Sequence, residues 1–152
     1  MRQLIIQPGS KPGNYLLTDY LNEHLNLKPL LAAEQNELVL NLKGIVDINS
    51  MGIKKWIDGI RELKAKGKKL IYEECPEVFV EACNTTPDFT EAVQVRSFEV
   101  SFMCRACKDY ESHLLQVAEL DREHLPPPFA CPTCGKTMVP EEDDAFEFLA
   151  DL

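Results

Sequence analysis

Residues 39–72 read VLNLKGIVDINSMGIKKWIDGIRELKAKGKKLIY, and the changes of hydrophobic period inside this stretch decide the fold. Leu38, Val39, Leu40 and Leu42 form a short apolar run with β-branched character, closed by Gly44, which predicts a buried strand. Ile45, Val46 and Ile48 supply a second apolar patch, and Asn49 and Ser50 then offer two helix-capping side chains. Ile53, Trp56, Ile57, Ile60 and Leu63 recur at the i, i+3, i+4, i+7 spacing of one helix face, while Lys54, Lys55, Asp58, Arg61, Glu62, Lys64 and Lys66 fill the other. Gly67 stands where a C′ glycine stops a helix, and Leu70, Ile71 and Tyr72 restart an extended run. Strand, helix and strand joined by short turns make a βαβ unit, whose crossover is almost always right-handed.

This order of residues resembles the STAS domain, the fold of bacterial anti-sigma-factor antagonists. In that family a strand ending in an apolar-Asp-Ser-Ser-Gly turn leads into a long helix, followed by a Lys/Gly-rich turn and another strand. Ile48-Asn49-Ser50-Met51-Gly52-Ile53 matches the first turn and Ala65-Lys66-Gly67-Lys68-Lys69-Leu70 the second. The likeness covers residues 38–89 well and the N-terminal residues loosely. It implies an α/β fold with a mixed sheet and helices on one face. It also implies a non-catalytic interaction module, gripped by its partner at Asp47, Asn49, Ser50, Met51, Gly52, Lys54 and Lys55. The partners it implies are a kinase or anti-sigma-like regulator, or the ATPase of a lipid transporter. In the switching members the serine directly before the glycine is phosphorylated; here Met51 holds that position, and a thioether cannot accept a phosphoryl group. Ser50 lies one residue earlier, where a helix N-terminus would favour a phosphate, although capping is the more ordinary role there.

Composition bounds the rest. A chain of 152 residues, 45% hydrophobic and 27% charged, can bury one ordinary core or two small ones. The opening residues lack the apolar stretch of a signal peptide and no run approaches a membrane span, so the cytoplasm is the expected location. The net charge of −9 opposes non-specific attraction to nucleic acid or an anionic membrane. It is concentrated late: residues 1–92 hold 11 basic and 13 acidic side chains, residues 93–152 hold 5 and 12.

Around the central unit the expectations are coarser. Leu4, Ile5 and Ile6 pair as a hairpin with Tyr15, Leu16 and Leu17, and Thr18 or Asp19 caps a helix carrying Tyr20, Leu21 and Leu25 until Pro29 interrupts it. Cys75 and Pro76 open a helix with Val78, Phe79, Ala82 and Cys83 on its apolar side, and Pro87 ends it. Cys75 and Cys83 have no metal-like spacing and read as small buried hydrophobes. Val93 and Val95 alternate on one parity and Phe98, Val100 and Phe102 on the other, which a bulge near Arg96 and Ser97 would reconcile.

The sharpest chemistry is Cys104-Arg-Ala-Cys107 with Cys131-Pro-Thr-Cys134-Gly135. Each Cys-x-x-Cys turn brings two thiolates toward one ion, and two such turns supply the tetrahedral S₄ set of a structural Zn²⁺. The 23 intervening residues exceed the usual loop of about 15 to 20, which fits an extended hairpin with 110–117 as one strand and Pro126, Pro127 and Pro128 stiffening the return. The pattern resembles zinc ribbons. Four thiolates close the shell and leave no open position for catalysis, and His113 on the ribbon strand reads as a surface residue rather than a ligand. The acidic tail with Phe146, Leu149 and Leu152 predicts an amphipathic helix folding back on the first domain. The expected organisation is thus 1–92 STAS-like, 93–140 zinc ribbon and 141–152 closing helix. There is no glycine-rich phosphate loop, nucleophile elbow or paired-histidine helix, so an enzyme is not expected. The alternative function is a nucleic-acid-binding or transcription-associated ribbon. Against it, Arg96, Arg105, Lys108, Arg122 and Lys136 are outnumbered by acids.

Overall fold

The apolar residues at 38–42 lie in the middle strand of a five-stranded mixed sheet. The computed structural model describes residues 3–152; Met1 and Arg2, at the head of the expected 1–92 unit, lie outside the described residues. Strand β1 (Ile5–Pro8) pairs antiparallel with β2 (Asn14–Leu21), and β3 (Glu37–Ile48), β4 (Lys69–Glu73) and β5 (Gln94–Val95) follow, each parallel to its neighbour. The crossovers carry α1 (Lys28–Leu31), α2 (Ser50–Ala65) and α3 (Glu77–Thr85). The helices cover one face. Leu38, Leu40, Leu42, Leu70 and Tyr72 enter a common core with Trp56, Ile60, Leu63 and Phe79. Val39 and Ile71, paired neighbours on the other side of the pleat, stay out of it. That second face is bordered by the ion pairs Lys69–Glu37 at 3.8 Å and Arg96–Glu73 at 2.9 Å.

Helix α2 forms for the reasons its sequence suggests. The Asn49 side chain accepts the Gly52 N–H at 2.8 Å as N-cap, worth about 1 kcal/mol. Trp56, Ile60 and Leu63 are buried, with Ile53 and Ile57 half-buried beside them. At its end the Gly67 and Lys68 N–H groups donate back to the carbonyls of Lys64 and Leu63, a Schellman closure. Trp56, Tyr72, Phe79 and Phe89 pack with ring centroids 5.2–6.4 Å apart. Within that cluster Trp56 Nε1 donates to the Tyr72 hydroxyl at 3.0 Å, which donates to the Phe89 carbonyl at 2.8 Å. Every side-chain polar atom of this aromatic cluster is therefore satisfied, which an apolar core requires.

Several local expectations yield to tertiary pairing. Gly44 does not close a strand: β3 runs through it to Ile48, with Gly44 opposite Thr18. Val46 is exposed. The helix expected from Thr18 is the second half of β2, because residues 18–21 pair with residues 44–48, with Asp19 at φ +76° where the register shifts. Helix α3 begins after Pro76, which is its N-cap, while Cys75 forms a bridge to Phe98.

The second sheet, in the order β7-β6-β8, contains β6 (Ser97–Met103), β7 (Tyr110–Gln116) and β8 (Val139–Pro140). Strands β5 and β6 are one run broken at Arg96, and both Ser97 and Phe98 are buried at the change of parity. In place of a full amphipathic helix, the tail makes a short 3-10 helix (Glu147–Asp151). The Phe148 N–H, which an α-helix would give to the Asp144 carbonyl, goes instead to Asn84 Oδ1 at 2.7 Å. Phe148 and Leu149 are buried, Phe148 edge-on to Phe98 at 4.9 Å, whereas Phe146 is half-buried and Leu152 exposed. Among the described residues no helix is long and apolar enough to cross a membrane.

A Cβ at Gly52 would lie 2.1 Å from the Leu21 carbonyl oxygen, a backbone atom that cannot swing aside. Gly52→Ala should therefore lower unfolding free energy by about 1–3 kcal/mol, read as a fall in the urea midpoint at unchanged slope. A neutral result would mean that α2 does not sit this closely on β2.

Candidate metal centre

The four cysteines that the sequence singles out converge at the tip of the second sheet. The turn between β6 and β7 presents Cys104 and Cys107. A second turn, flanked by the Ala130–Thr137 bridge, presents Cys131 and Cys134. The two turns are built alike. Cys104 N–H donates to the Asp109 carbonyl at 2.9 Å and Cys131 N–H to the Lys136 carbonyl at 2.8 Å. The Cys104 and Cys131 carbonyls in turn accept Lys108 N–H and Gly135 N–H, each at 2.8 Å. The residue after the second cysteine has positive φ in both, +62° at Lys108 and +74° at Gly135. Glycine adopts that backbone freely at Gly135, and Lys108 holds the same shape at a steric cost. Thr133 Oγ1 donates to Asp109 Oδ2 at 2.7 Å and ties one turn to the other.

All four Sγ atoms lie within 4.8 Å of one another, and Cys104 Sγ is 3.5 Å from Cys134 Sγ. A tetrahedral ion with metal–sulfur bonds of about 2.3 Å requires sulfur–sulfur edges of about 3.8 Å, so this donor set fits a single small ion. The metal-free thiols share their protons unevenly. The Cys107 N–H, 3.4 Å from Cys104 Sγ, heads the influences that lower the Cys104 thiol to about 7. Hydrogen bonding with Cys134 heads those that push Cys107 up to about 12. Cys75 and Cys83 are buried in the first core, and burial pushes both thiols up, as befits packing residues.

His113 is not a surface residue. It is half-buried, stacked on Phe129 at 3.8 Å and edge-on to Phe102 at 5.6 Å. With the 4.9 Å Phe102–Phe129 contact this makes a small aromatic core that pins the long return segment against the hairpin. The sequence signal for it was weak, since Phe129 lies 16 residues from His113 with a proline run between.

The residues of the turn before α2 lie at a solvent-facing corner. Asp47, Asn49, Ser50, Met51, Lys54 and Lys55 are exposed, whereas Gly52 is buried against Leu21. Glu23, which sequence reasoning missed, braces this corner: its carboxylate accepts Asn49 Nδ2 at 2.9 Å and its carbonyl accepts Lys55 Nζ. The Asn49 donation chiefly holds the Glu23 carboxyl below its ordinary range. No local pattern marks Glu23, because only the parallel pairing of β2 with β3 brings it there.

No protein-family profile, curated protein or solved structure matches this chain.

The centre should bind one divalent ion per chain, measured by elemental analysis of freshly isolated protein. Chelation should then raise amide hydrogen exchange across residues 104–109 and 130–139 while leaving β3 and β4 protected, because those two strands bury their apolar side chains against α2 and α3. Loss of protection throughout β3 would contradict that independence.

Proposed function

We propose that this chain is a non-catalytic docking module of the STAS type, carrying one structural zinc ion in its ribbon. Zinc is the ion of choice because a closed S₄ set is the tetrahedral, soft-ligand site it occupies most readily. Cys104, Cys107, Cys131 and Cys134 would hold it, and the metal would supply folding free energy that so small a hairpin cannot obtain from burial alone.

The observation that carries the docking reading is the corner where β3 meets α2. Val46 is 60% exposed and Met51 49% exposed, with Asp47, Lys54 and Lys55 around them. Two apolar side chains left in water on a corner fixed by a cap, a buried glycine and a Glu23 brace suit a preorganised contact surface. The STAS resemblance supports the same surface, and suggests a kinase, an anti-sigma-like regulator or a transporter ATPase as partner. Met51 in place of a phosphorylatable serine supports binding that does not depend on phosphorylation at that position. A protein partner is favoured over nucleic acid by the charge. A groove of about 280 Å³ between α3, β6 and the tail is lined by Glu77, Glu81, Glu99, Glu141, Glu142 and Asp144, with no cationic side chain in its lining.

A photo-crosslinking residue placed at position 51 should yield discrete protein adducts in the native host that the same probe at Lys66, on the far end of α2, does not. Met51→Glu should reduce capture of that partner at least about tenfold, the scale expected for burying an unpaired charge in an interface, with an unchanged circular dichroism spectrum. Identical adducts from both positions would remove this surface from consideration.

A further inference from the structure

We propose that Cys134 is an oxidant-reactive thiolate, whose modification opens the metal clasp and closes a Cys104–Cys134 disulfide between the two turns. This rests on the metal reading above and adds the regulation of that site. The four sulfur ligands are not equivalent. Cys104 and Cys131, which open the turns, are 1% and 2% exposed, Cys107 is half-buried and Cys134 is exposed. The asymmetry lies in the second cysteine of each turn: residues 132–137 all face solvent, whereas in the first turn Cys107 is half-buried between exposed neighbours. A metal-bound cysteine sulfur is deprotonated, so the exposed one is a standing nucleophile within reach of small solutes.

Its partner is already in place. Cys104 Sγ is 3.5 Å away on the opposite turn, so a disulfide of about 2.05 Å needs only about 1.5 Å of closure. The oxidant is a peroxide. The Cys134 thiolate attacks one peroxide oxygen, the O–O bond breaks, hydroxide leaves and a sulfenic acid forms. The Cys104 thiolate then attacks that sulfur, the S–S bond forms, the S–O bond breaks and a second hydroxide leaves. Solvent protons turn both hydroxides to water; the two sulfurs lose two electrons and the peroxide gains them. The ion, left with Cys107 and Cys131, departs to solvent. The new bond spans the same gap as the metal did, so oxidation keeps the turns tied where chelation frees them. Cys75 and Cys83, 1% and 2% exposed in the first core, serve as internal controls.

The test begins with metal content. The full-length zinc-loaded chain is then titrated with hydrogen peroxide in the presence of a colorimetric chelator and mapped by non-reducing peptide mass spectrometry. One ion should be released per Cys104–Cys134 disulfide, with Cys75 and Cys83 still reduced. In the loaded chain N-ethylmaleimide should modify Cys134 about tenfold faster than Cys104 or Cys131. A disulfide formed within one turn, or release with Cys134 unmodified, would overturn the proposal while leaving the metal site intact. A chain isolated without stoichiometric metal would overturn the metal reading, and this one with it.

Discussion

The backbone of Arg96 is the constraint on which the rest of the molecule depends. Its N–H donates to the Tyr72 carbonyl at 2.8 Å, in the five-stranded sheet, and its carbonyl accepts the Val117 N–H at 3.0 Å, beyond the end of β7. One residue is thus shared between two sheets, and the strand changes the face it buries while passing through it. Phe98, Val100 and Phe102 follow and are all buried, so the apolar surface of the ribbon strand continues the first core. Cys75, bridged to Phe98, and Ser97, whose Oγ accepts the Glu74 N–H at 2.8 Å, hold the crossing from the other side. The four-cysteine tip is therefore carried on a strand whose base belongs to the main core.

What was legible in the sequence follows the range of the interactions involved. Helix α2 could be read because its face repeats over four turns and its cap, stripe and terminating glycine agree. The cysteine pairs could be read because a metal-binding turn is a local motif, complete within four or five residues. The break at Arg96 could be read from the change of parity alone. The second half of β2 could not, since its polar and aromatic residues take their meaning from a strand much later in the chain and from a left-handed backbone at Asp19. The tail misled for a related reason. Its apolar spacing suits a helix, but Asn84 captures the one N–H that the helix would need. His113 looked solvent-facing because its stacking partner Phe129 arrives only after the proline-rich return.

The two halves of the molecule meet water differently. In the first, polar atoms are satisfied inside the core, as in the Trp56–Tyr72–Phe89 relay, and Gly52 sits where the backbones of α2 and β2 touch. In the second, the core is a few aromatic rings, and the four sulfurs occupy what would otherwise be its weakest end. The acidic side chains gather around that second half, so its charge repels itself. A divalent cation held by the four thiolates would offset half of their charge.

The likeness between the two cysteine turns has a mechanical side. Their matching hydrogen bonds and matching positive-φ corners make them two copies of one jaw, with Asp109 and Thr133 acting as a latch between them. One jaw grows directly from the strand rooted at Arg96, and the other returns to that same strand through β8, where Val139 pairs with Met103, so both are anchored on one strand.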